Sequence, residues 1–436
     1  MVLDAFIERI KRLRTRNKIR ILIILLLISF NLVMIPQLFF NNNFLAPHDV
    51  DRKSNGNTLI CAVSLNEMFA HPPRVRNQIP MPINSANNRI IEINARGTIT
   101  WEISGLAMPH EVEELPSGNL LVADTTFDRV IEIDYDTKEI IWSWEPSKIN
   151  WTEVNEEWDE NHYYNNPKTY DWTHINDVDF KKYGSWNACL VSLRNFDLVV
   201  ELNYTAESIS ANNASNILWW YGDYENTTLL SRQHNPDYLE NGNVIIADSE
   251  NDRIVEVNYS TKEKVWESAI ELRWPRDADE LDNGNLLITD SYNNRIIEIN
   301  RTTQEIVWMF ERDLMIPYES DQLENGNYLI STEYMGKVIE VNQKGFIVWS
   351  YGFPVFKLLF YFNSFILIGI AGIEIFYKTQ NLSDPKLSKK KTALNFVALG
   401  VSIFIIVLFL IVIFHFNGLL QRFLQFIYPS IKGSVF

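Results

Sequence analysis

The chain has 436 residues, of which 55 are acidic and 39 are basic, giving a formal net charge of −16 at neutral pH. This excess of negative charge argues against a nucleic-acid partner, and it means that an anionic substrate needs a locally positive site. The two cysteines, Cys61 and Cys189, are too few for a disulfide scaffold or a thiolate metal cage. We expect two buried thiols, with one bridge between them as the alternative.

Three stretches are apolar and long enough to cross a bilayer, which takes about 20 residues in a helix. Basic residues crowd the segment before the first stretch and the loop between the other two, so the positive-inside rule places both in the cytoplasm. No small-residue cleavage site follows the first stretch, which favours a retained anchor over a signal peptide. The predicted order is a cytoplasmic tail (1–18), a transmembrane helix (19–40), an extracytoplasmic domain (41–352), a transmembrane helix (353–377), a cytoplasmic loop (378–392), a transmembrane helix (393–415) and an extracytoplasmic tail (416–436).

The sequence therefore predicts a protein of the cell membrane whose main domain lies outside the cytoplasm. Glycosylation triplets in that domain begin at Asn150, Asn203, Asn213, Asn226, Asn258 and Asn300. N-glycans are possible on this side of the membrane. An asparagine-rich chain also produces such triplets by chance, and the sequence does not decide between the two.

The extracytoplasmic domain repeats a cassette built around a turn that ends in Gly-Asn. Counting nine residues back from the last Asn of each turn gives His48, His110, His234, Arg276 and Tyr318. A sixth copy of the cassette has a longer and altered turn, and His174 takes the corresponding position in it. We call these six positions the register residues.

Each cassette reads as four short strands. In residues 275–310, runs rich in β-branched and aromatic residues alternate with turn residues, and the smallest spacing between register residues is 42. Four strands in about 40 residues, repeated, are typical of propeller blades. Six copies predict an all-β, six-bladed β-propeller, at residues 48–103, 109–144, 173–220, 233–268, 275–310 and 317–351.

The direction of the strands predicts which residues share a face. The start of the first strand, the link between the second and third strands and the link between blades all fall at one end of the propeller. Insertions at 66–87, 145–172 and 221–232 fall at the same end, and a repeat protein with insertions confined to one face usually binds there. The aromatic rings of residues 145–172 either stack on a ligand or pack the loop down as a cap.

Two further sets of residues recur and are interpreted as structural. A five-residue spacing of Asp and Arg is expected to fix the link between the second and third strands, and tryptophans on the outermost strand are expected to pack between blades. The first set is Asp124/Arg129, Asp248/Arg253 and Asp290/Arg295, and the second is Trp142, Trp266, Trp308 and Trp349.

Four of the seven histidines occupy the register, whereas packing alone would favour apolar residues there. We therefore predict a functional role for His110, His174 and His234 and leave His48 undecided between function and structure. The third blade also departs from the repeat. Where other blades read Ala-Asp-Ser or Thr-Asp-Ser, it reads Ser192-Leu193-Arg194, which places a cation beside the histidines.

These motifs resemble a known family. Asp171-Trp172-Thr173-His174-Ile175-Asn176, then Ser192-Leu193-Arg194, then Gln233-His234 before Leu239-Glu240-Asn241-Gly242-Asn243 look like the motifs of the PAPS-independent arylsulfotransferases. The resemblance covers roughly residues 105–350. It implies a six-bladed propeller that transfers a sulfuryl group from an aryl sulfate donor to a phenolic or other hydroxyl acceptor, through a transiently sulfated histidine.

The resemblance also implies residue roles. His234 matches the nucleophile, and His110, His174 and Arg194 match the residues that hold the sulfate and move protons. His48, Arg276 and Tyr318 complete the register as predicted substrate-binding positions without a family role. No cofactor and no metal are expected.

The chain departs from the family at two places. Only about seven residues join the first apolar stretch to the first blade, where soluble family members carry a separate domain, and Arg276 and Tyr318 match no family role. The short attachments suggest a funnel that faces the bilayer. The alternatives are a non-catalytic propeller that binds glycan or protein, and a zinc site formed by His110, His174 and His234, which Arg194 would oppose.

Overall fold

A computed structural model of the chain describes residues 45–64, 88–158, 171–184, 186–204, 213–332 and 336–352. These residues form six antiparallel sheets of four strands each, and residues 44–352 make one compact unit. The first strands of successive blades contact one another in a closed circle, so they are the innermost strands of a ring. The predicted all-β, six-bladed propeller is confirmed.

The strands follow one another in chain order within each blade. Blades one to three contain β1 (Leu45–Arg52), β2 (Thr58–Ser64), β3 (Arg89–Ile93), β4 (Ile99–Ser104), β5 (Pro109–Glu114), β6 (Leu120–Asp124), β7 (Arg129–Ile133), β8 (Ile140–Trp144), β9 (Ile175–Tyr183), β10 (Trp186–Leu193), β11 (Leu198–Asn203) and β12 (Ile217–Gly222). Blades four to six contain β13 (His234–Tyr238), β14 (Val244–Asp248), β15 (Arg253–Val257), β16 (Lys264–Glu267), β17 (Pro275–Glu280), β18 (Leu286–Asp290), β19 (Arg295–Ile299), β20 (Ile306–Phe310), β21 (Pro317–Gln322), β22 (Tyr328–Thr332), β23 (Lys337–Val341) and β24 (Ile347–Gly352). One short helix, α1 (Trp151–Val154), precedes blade three.

The three apolar stretches predicted to cross a membrane lie outside the described residues. Among the residues that are described, no helix is long and apolar enough to span a bilayer. The predicted membrane topology is therefore carried forward as a proposal.

The Gly-Asn turn joins the first and second strands and is fixed by a side chain of the third strand. Asn243 Nδ2 donates to Glu256 Oε1 at 2.6 Å, and Asn285 Nδ2 donates to Glu298 Oε1 at the same distance. The glycine before Asn243 has a φ of +83°, a conformation that side chains strain to adopt. The spacing from turn to register residue is therefore constant because both ends of the first strand are held.

The recurrent Asp and Arg fix the link between the second and third strands, as predicted. Arg295 Nε donates to Asp290 Oδ2 at 2.7 Å, and the other carboxylate oxygen accepts from the backbone N–H of Arg273 at 2.8 Å. The same pair of contacts occurs at Asp124 and Asp248. Each buried carboxylate thus ties its own link to the chain that enters the blade.

The tryptophans of the outermost strands pack between blades, which confirms their predicted role. Trp308 Nε1 donates to the carbonyl oxygen of Gln343 in the next blade at 2.9 Å, and four further indoles make the same type of bond. Trp142 instead packs edge-on against Tyr204 of blade three, with ring centroids 4.7 Å apart. At five of the six seams the indole therefore provides both apolar contact and a directional bond.

The ring closes between blades six and one through side chains, because no strand is shared between the ends of the propeller. Ser331 Oγ donates to the His48 carbonyl oxygen at 2.8 Å, and Arg52 pairs with Glu340 at 3.0 Å. A buried apolar cluster combines Val50 of blade one with residues of blade six. Cys61 and Cys189 are free and buried, as expected.

Removing one of the repeated carboxylates should destabilise the propeller. In Asp290→Ala, the Arg273 N–H and the Arg295 guanidinium lose a buried acceptor, so we expect a loss of about 2 kcal/mol in the free energy of unfolding. Urea denaturation followed by tryptophan fluorescence measures it. Asp282→Ala, which removes an exposed carboxylate of the neighbouring turn, should leave the midpoint unchanged; equal effects of both substitutions would contradict this account.

Candidate active site

The structure gathers all seven predicted site residues at one end of the ring. The register residues lie within the first four residues of the innermost strands or, for His174, just before the strand, and each is at most 9% exposed. Arg194, which is partly buried, begins the turn after β10. The side chains of six blades therefore converge there, as predicted.

Three of the rings pack directly on one another. His48 stacks on Tyr318 with centroids 4.5 Å apart, and its edge meets His110 at 4.4 Å. The Tyr318 hydroxyl lies 2.9 Å from His110 Nδ1, and His174 contacts the other side of His110 at 4.9 Å between centroids. His110 Nε2 is buried, and no hydrogen-bond partner for it exists among the described residues. That nitrogen is the atom of His110 left for a ligand.

The contacts of His234 define its tautomer. Its Nδ1 lies 2.8 Å from Ser249 Oγ, and the same hydroxyl donates its proton to the Pro275 carbonyl oxygen at 2.6 Å. A hydroxyl has one proton, so the Ser249 oxygen can only accept from His234, and Nδ1 must carry the hydrogen. The Nε2 of His234 is consequently left with a free electron pair, as a nucleophile requires.

His174 has a different partner, a carboxylate. Its Nδ1 lies 2.7 Å from Asp171 Oδ1, and both side chains are buried. A carboxylate stabilises the imidazolium form of a hydrogen-bonded histidine. This pair is therefore suited to hold and deliver a proton, whereas the Ser249 hydroxyl leaves His234 neutral.

Two arginines give the site positive charge within an acidic protein. The Arg276 guanidinium lies over the ring of Tyr318 at 3.6 Å and over that of Trp274 at 4.4 Å. Arg194 makes a long bond of 3.4 Å to Asn195, and its buried Nε has no partner among the described residues. Burial and the neighbouring cation of Arg232 lower the pKa of Arg194 to about 10, so it remains charged at neutral pH.

The surroundings keep two of the histidines neutral. Burial is the main cause that lowers the pKa of His234 well below its usual value, followed by the charges of Arg276 and Arg194. The pKa of His110 is lowered likewise, first by burial, then by His48 and Arg276. At neutral pH the site therefore combines unprotonated imidazoles with fixed guanidinium charges, which suits an anion attacked by a ring nitrogen.

The entry to the innermost strands is held by the preceding blade. The residue two positions before the register residue has a left-handed backbone in four blades, namely Met108, Arg232, Trp274 and Ile316. In the last three, its N–H donates to an Asp or Asn of the previous blade, such as Asp197 Oδ1 for Arg232 at 2.7 Å. In blade three, Asp128 accepts from the N–H groups of both Trp172 and Thr173. Register residues are thus aimed by bonds between blades.

Beyond the register residues, the innermost strands carry carboxylates toward the axis. The pKa of each is raised, first by burial and in most cases also by neighbouring acids; that of Asp277 rises to about 7. The set comprises Asp49, Asp51, Glu111, Glu113, Asp177, Asp179, Asp237, Asp277, Asp279, Glu319 and Asp321. The channel therefore changes from cationic to acidic along its axis.

Part of the aromatic insertion packs as a cap. Trp151 and Trp158 are buried at 0% and 3% exposure and pack in one cluster with Phe196, so these two rings cannot stack on a ligand. Tyr163, Tyr164 and Tyr170 lie outside the described residues.

The alternative zinc site needs three ligand atoms close together. Among the described His, Cys, Asp and Glu side chains, three ligand atoms lie within 4.8 Å of one another only at Asp49, Glu111 and Glu319, and not at the imidazoles.

Comparison with known families gives one match. Residues 102–237 match the model of the arylsulfotransferase (ASST) family. The resemblance inferred from the motifs is confirmed over this segment. It runs from blade one's last strand into β13 and includes all four predicted catalytic residues, His110, His174, Arg194 and His234. The three predicted substrate-binding positions, His48, Arg276 and Tyr318, lie outside the arylsulfotransferase segment.

Similarities to solved structures are distant. A protein of unknown function from Bacteroides caccae is 13% identical, with 63% of this chain and 93% of that chain covered and a TM-score of 0.42. A streptogramin B lyase is 10% identical (71% and 83% covered, TM-score 0.44). A catalytically inactive virginiamycin B lyase from Staphylococcus aureus with quinupristin is 13% identical (72% and 86%, TM-score 0.45). Similarities this distant carry no argument about function, and no curated protein matches the chain.

Sequence reasoning missed the residues that orient the site histidines. Ser249 was visible as part of a repeated Ala-Asp-Ser motif, in the position that Arg194 takes in blade three, but its bond to His234 depends on how β13 and β14 pair. Asp171 stands three residues before His174 in the Asp-Trp-Thr-His motif, but the sequence does not show that the two side chains bond. Trp274, whose ring contacts His234 at 5.5 Å between centroids, carried no signal apart from its place before Pro275.

Neutralising Arg276 should raise the pKa of the site histidines. Its cation opposes protonation of His110 and His234, so in Arg276→Met both pKa values should rise toward the usual value for histidine. NMR titration of a sample with 13C-labelled histidine measures the shift. Arg273→Met, which removes a nearby arginine that does not act on these rings, is the control; unchanged titration in Arg276→Met would show that this charge does not act on the imidazoles.

Proposed function

We propose that the chain is a sulfotransferase that moves a sulfuryl group from an aryl sulfate ester to a hydroxyl acceptor, with His234 as the transient carrier. The observation that supports this most directly is the bond from His234 Nδ1 to Ser249 Oγ, whose proton is committed to Pro275. It leaves Nε2 unprotonated in a site that also holds fixed positive charge. The arylsulfotransferase match over the same residues supports the reaction class.

Binding of the donor is assigned to the cations and to His110. The sulfate oxygens accept from the Arg194 guanidinium, which offers a planar fork of donors. If the Tyr318 hydroxyl donates to His110 Nδ1, then His110 Nε2–H points its proton at the anion. Each such fixed donor is worth about 3 kcal/mol to a transition state in which negative charge spreads over the oxygens.

In the first half of the reaction, His234 Nε2 attacks the sulfur and forms an N–S bond while the S–O bond to the aryl group breaks. The bonding electrons leave with the phenolate oxygen, which takes a proton from the His174 imidazolium. Asp171 stabilises that imidazolium before the transfer. The products of this half are a phenol and a sulfated His234.

In the second half, the acceptor hydroxyl attacks the same sulfur. Its proton passes to the now neutral His174, the N–S bond breaks, and His234 regains its electron pair. The two halves balance without a cofactor, and they make the enzyme ping-pong, because the phenol leaves before the acceptor binds. His48, Arg276 and Tyr318 are assigned to contact the ring of the donor or acceptor.

The predicted membrane segments add a proposal about location. With anchors at 19–40, 353–377 and 393–415, the propeller lies outside the cytoplasm at the cell membrane. The acceptor is then an extracytoplasmic or envelope-linked hydroxyl compound, and N-glycans on the described triplets are compatible with that side. A protease or glycan map that places residues 41–352 in the cytoplasm would refute this location.

Trapping the carrier tests the mechanism. After incubation with p-nitrophenyl sulfate, we expect mass spectrometry to find a mass increase of one SO₃ on the peptide with His234. Substitution His234→Ala should abolish both the adduct and release of nitrophenol, a loss of roughly a thousandfold or more for a removed nucleophile. Release of nitrophenol without any adduct on His234 would refute the assigned carrier, and absence of turnover with every aryl sulfate tried would favour a binding propeller.

The role of Ser249 can be tested with a closely matched control. In Ser249→Ala, His234 loses the acceptor that fixes its Nδ1 hydrogen, a bond worth about 1.4 kcal/mol, so we expect kcat/KM to fall about tenfold. Ser291 bonds the Pro317 carbonyl in the same way at 2.7 Å, yet no histidine occupies its register position. Ser291→Ala should therefore keep near wild-type kcat/KM, and an equal loss in both variants would point to a structural role for the two serines.

A further inference from the structure

The acidic layer behind the register residues has contacts that folding alone does not explain. Asp49 Oδ2 accepts from the Val112 N–H of blade two at 2.8 Å, and Asp277 Oδ2 accepts from the Ser320 N–H of blade six at 3.0 Å. One oxygen of each carboxylate therefore clips neighbouring innermost strands together. These bonds explain why both positions hold an acidic residue, but they leave the second oxygen of each carboxylate without an assigned partner.

The second oxygens are buried and face other carboxylates. No N–H or alcohol O–H donor among the described residues reaches Asp49 Oδ1, Asp177 Oδ2 or Asp277 Oδ1, and these residues are 0%, 4% and 2% exposed. The groups within hydrogen-bond reach of the Asp49 side chain include the carboxyls of Glu319 and Glu111. A charged oxygen buried without a donor is strongly unfavourable, so it is expected to have a partner of another kind.

Three of the carboxylates converge on one point. Asp49, Glu111 and Glu319 each offer an oxygen, and these oxygens lie within 4.8 Å of one another. None of the ion pairs formed by the described residues includes any of the three. The charged groups that act on them are other acids of the channel, such as Asp51 and Asp177 for Glu111. In their ionised forms these three carboxylates therefore have no compensating cation among the described residues.

We propose that Asp49, Glu111 and Glu319 bind a calcium ion on the propeller axis. The donor set contains only carboxylate oxygens, which hard cations prefer, and it lacks the nitrogen and sulfur ligands typical of zinc or copper. Calcium binds oxygen at about 2.3–2.6 Å, so ligands on opposite sides of it are about 5 Å apart. The observed spread fits one such ion, and the buried Asp49 Oδ1 is an oxygen available to it. This site departs from the expectation of a metal-free chain and lies apart from the imidazoles considered for zinc.

The position of the three ligands indicates what the ion does. They belong to blades one, two and six, so a bound ion joins the two ends of the ring across the seam where no strand is shared. Each ligand directly follows a register residue, namely His48, His110 and Tyr318, the three that pack on one another. The ion is therefore a positioning element for this part of the register, and the proposal is independent of the sulfuryl-transfer mechanism.

Calcium binding to the full-length chain in detergent tests the proposal. After removal of divalent ions with a chelator, equilibrium dialysis should show one Ca²⁺ per chain, and added Ca²⁺ should raise the thermal unfolding midpoint. Glu111→Gln and Glu319→Gln should each weaken binding by at least about tenfold, since each loses a charged ligand. Without Ca²⁺, the thermal unfolding midpoint of both variants should equal or exceed that of the wild type, because a neutral amide removes repulsion between the carboxylates. A cooperative unfolding transition in this measurement also shows that the variants fold.

Asp321→Asn is the matched control, because it removes a channel carboxylate from the same strand as Glu319 but outside the cluster. It should keep the affinity and the calcium-induced shift of the wild type. Equal weakening by Asp321→Asn would show that the acidic channel attracts cations without a defined site. Absence of bound Ca²⁺ at millimolar concentration would also overturn the proposal and leave shared protons as the partner of these oxygens.

Discussion

The structure depends on one repeated contact between blades. An Asp or Asn in a left-handed turn of one blade accepts hydrogen bonds from the backbone that enters the next blade, as Asp128, Asp197, Asp252 and Asn294 do. These residue types tolerate left-handed backbone better than most, and their short side chains reach the neighbouring N–H groups. Because the register residue follows two positions later, the bond that joins two blades also aims a side chain at the axis. Stability of the ring and geometry of the site are thus set by the same interaction.

Two layers of side chains with different effects on an anion follow one another along the axis. Arg194 and Arg276 attract an anion to the layer of histidines. The carboxyl groups that follow on the same strands offer no such attraction, and burial raises their pKa, which favours the neutral form. For the proposed sulfate ester, entry from the histidine end therefore leads to a favourable position beside His234. In a chain of net charge −16, this local arrangement gives a defined place for a negatively charged substrate.

Much of the fold was accessible from the sequence because it repeats. The Gly-Asn turns gave the register, the Asp and Arg pairs and the outer tryptophans were assigned correct structural roles, and six cassettes predicted six blades. The orientation of side chains was less accessible. The hydroxyl of Ser249 reaches His234 because β13 and β14 pair side by side, although the two residues are 15 positions apart, and a sequence pattern does not reveal such a contact. The acidic residues of the innermost strands form no recognisable sequence motif, so their clustering is visible only in the folded ring.

The way in which the ring closes has a further consequence. Every blade is one uninterrupted stretch of chain, and among the described residues no strand pairing joins the first and last blades, which meet through contacts made by side chains. Opening the polypeptide at a link between two other blades would leave all six sheets whole. A circularly permuted propeller should therefore keep every hydrogen-bonded sheet, and any loss of stability should come from the contacts between the first and last blades. Blades that are each one continuous stretch of chain are also what duplication of a single-blade gene, followed by fusion of the copies, would produce.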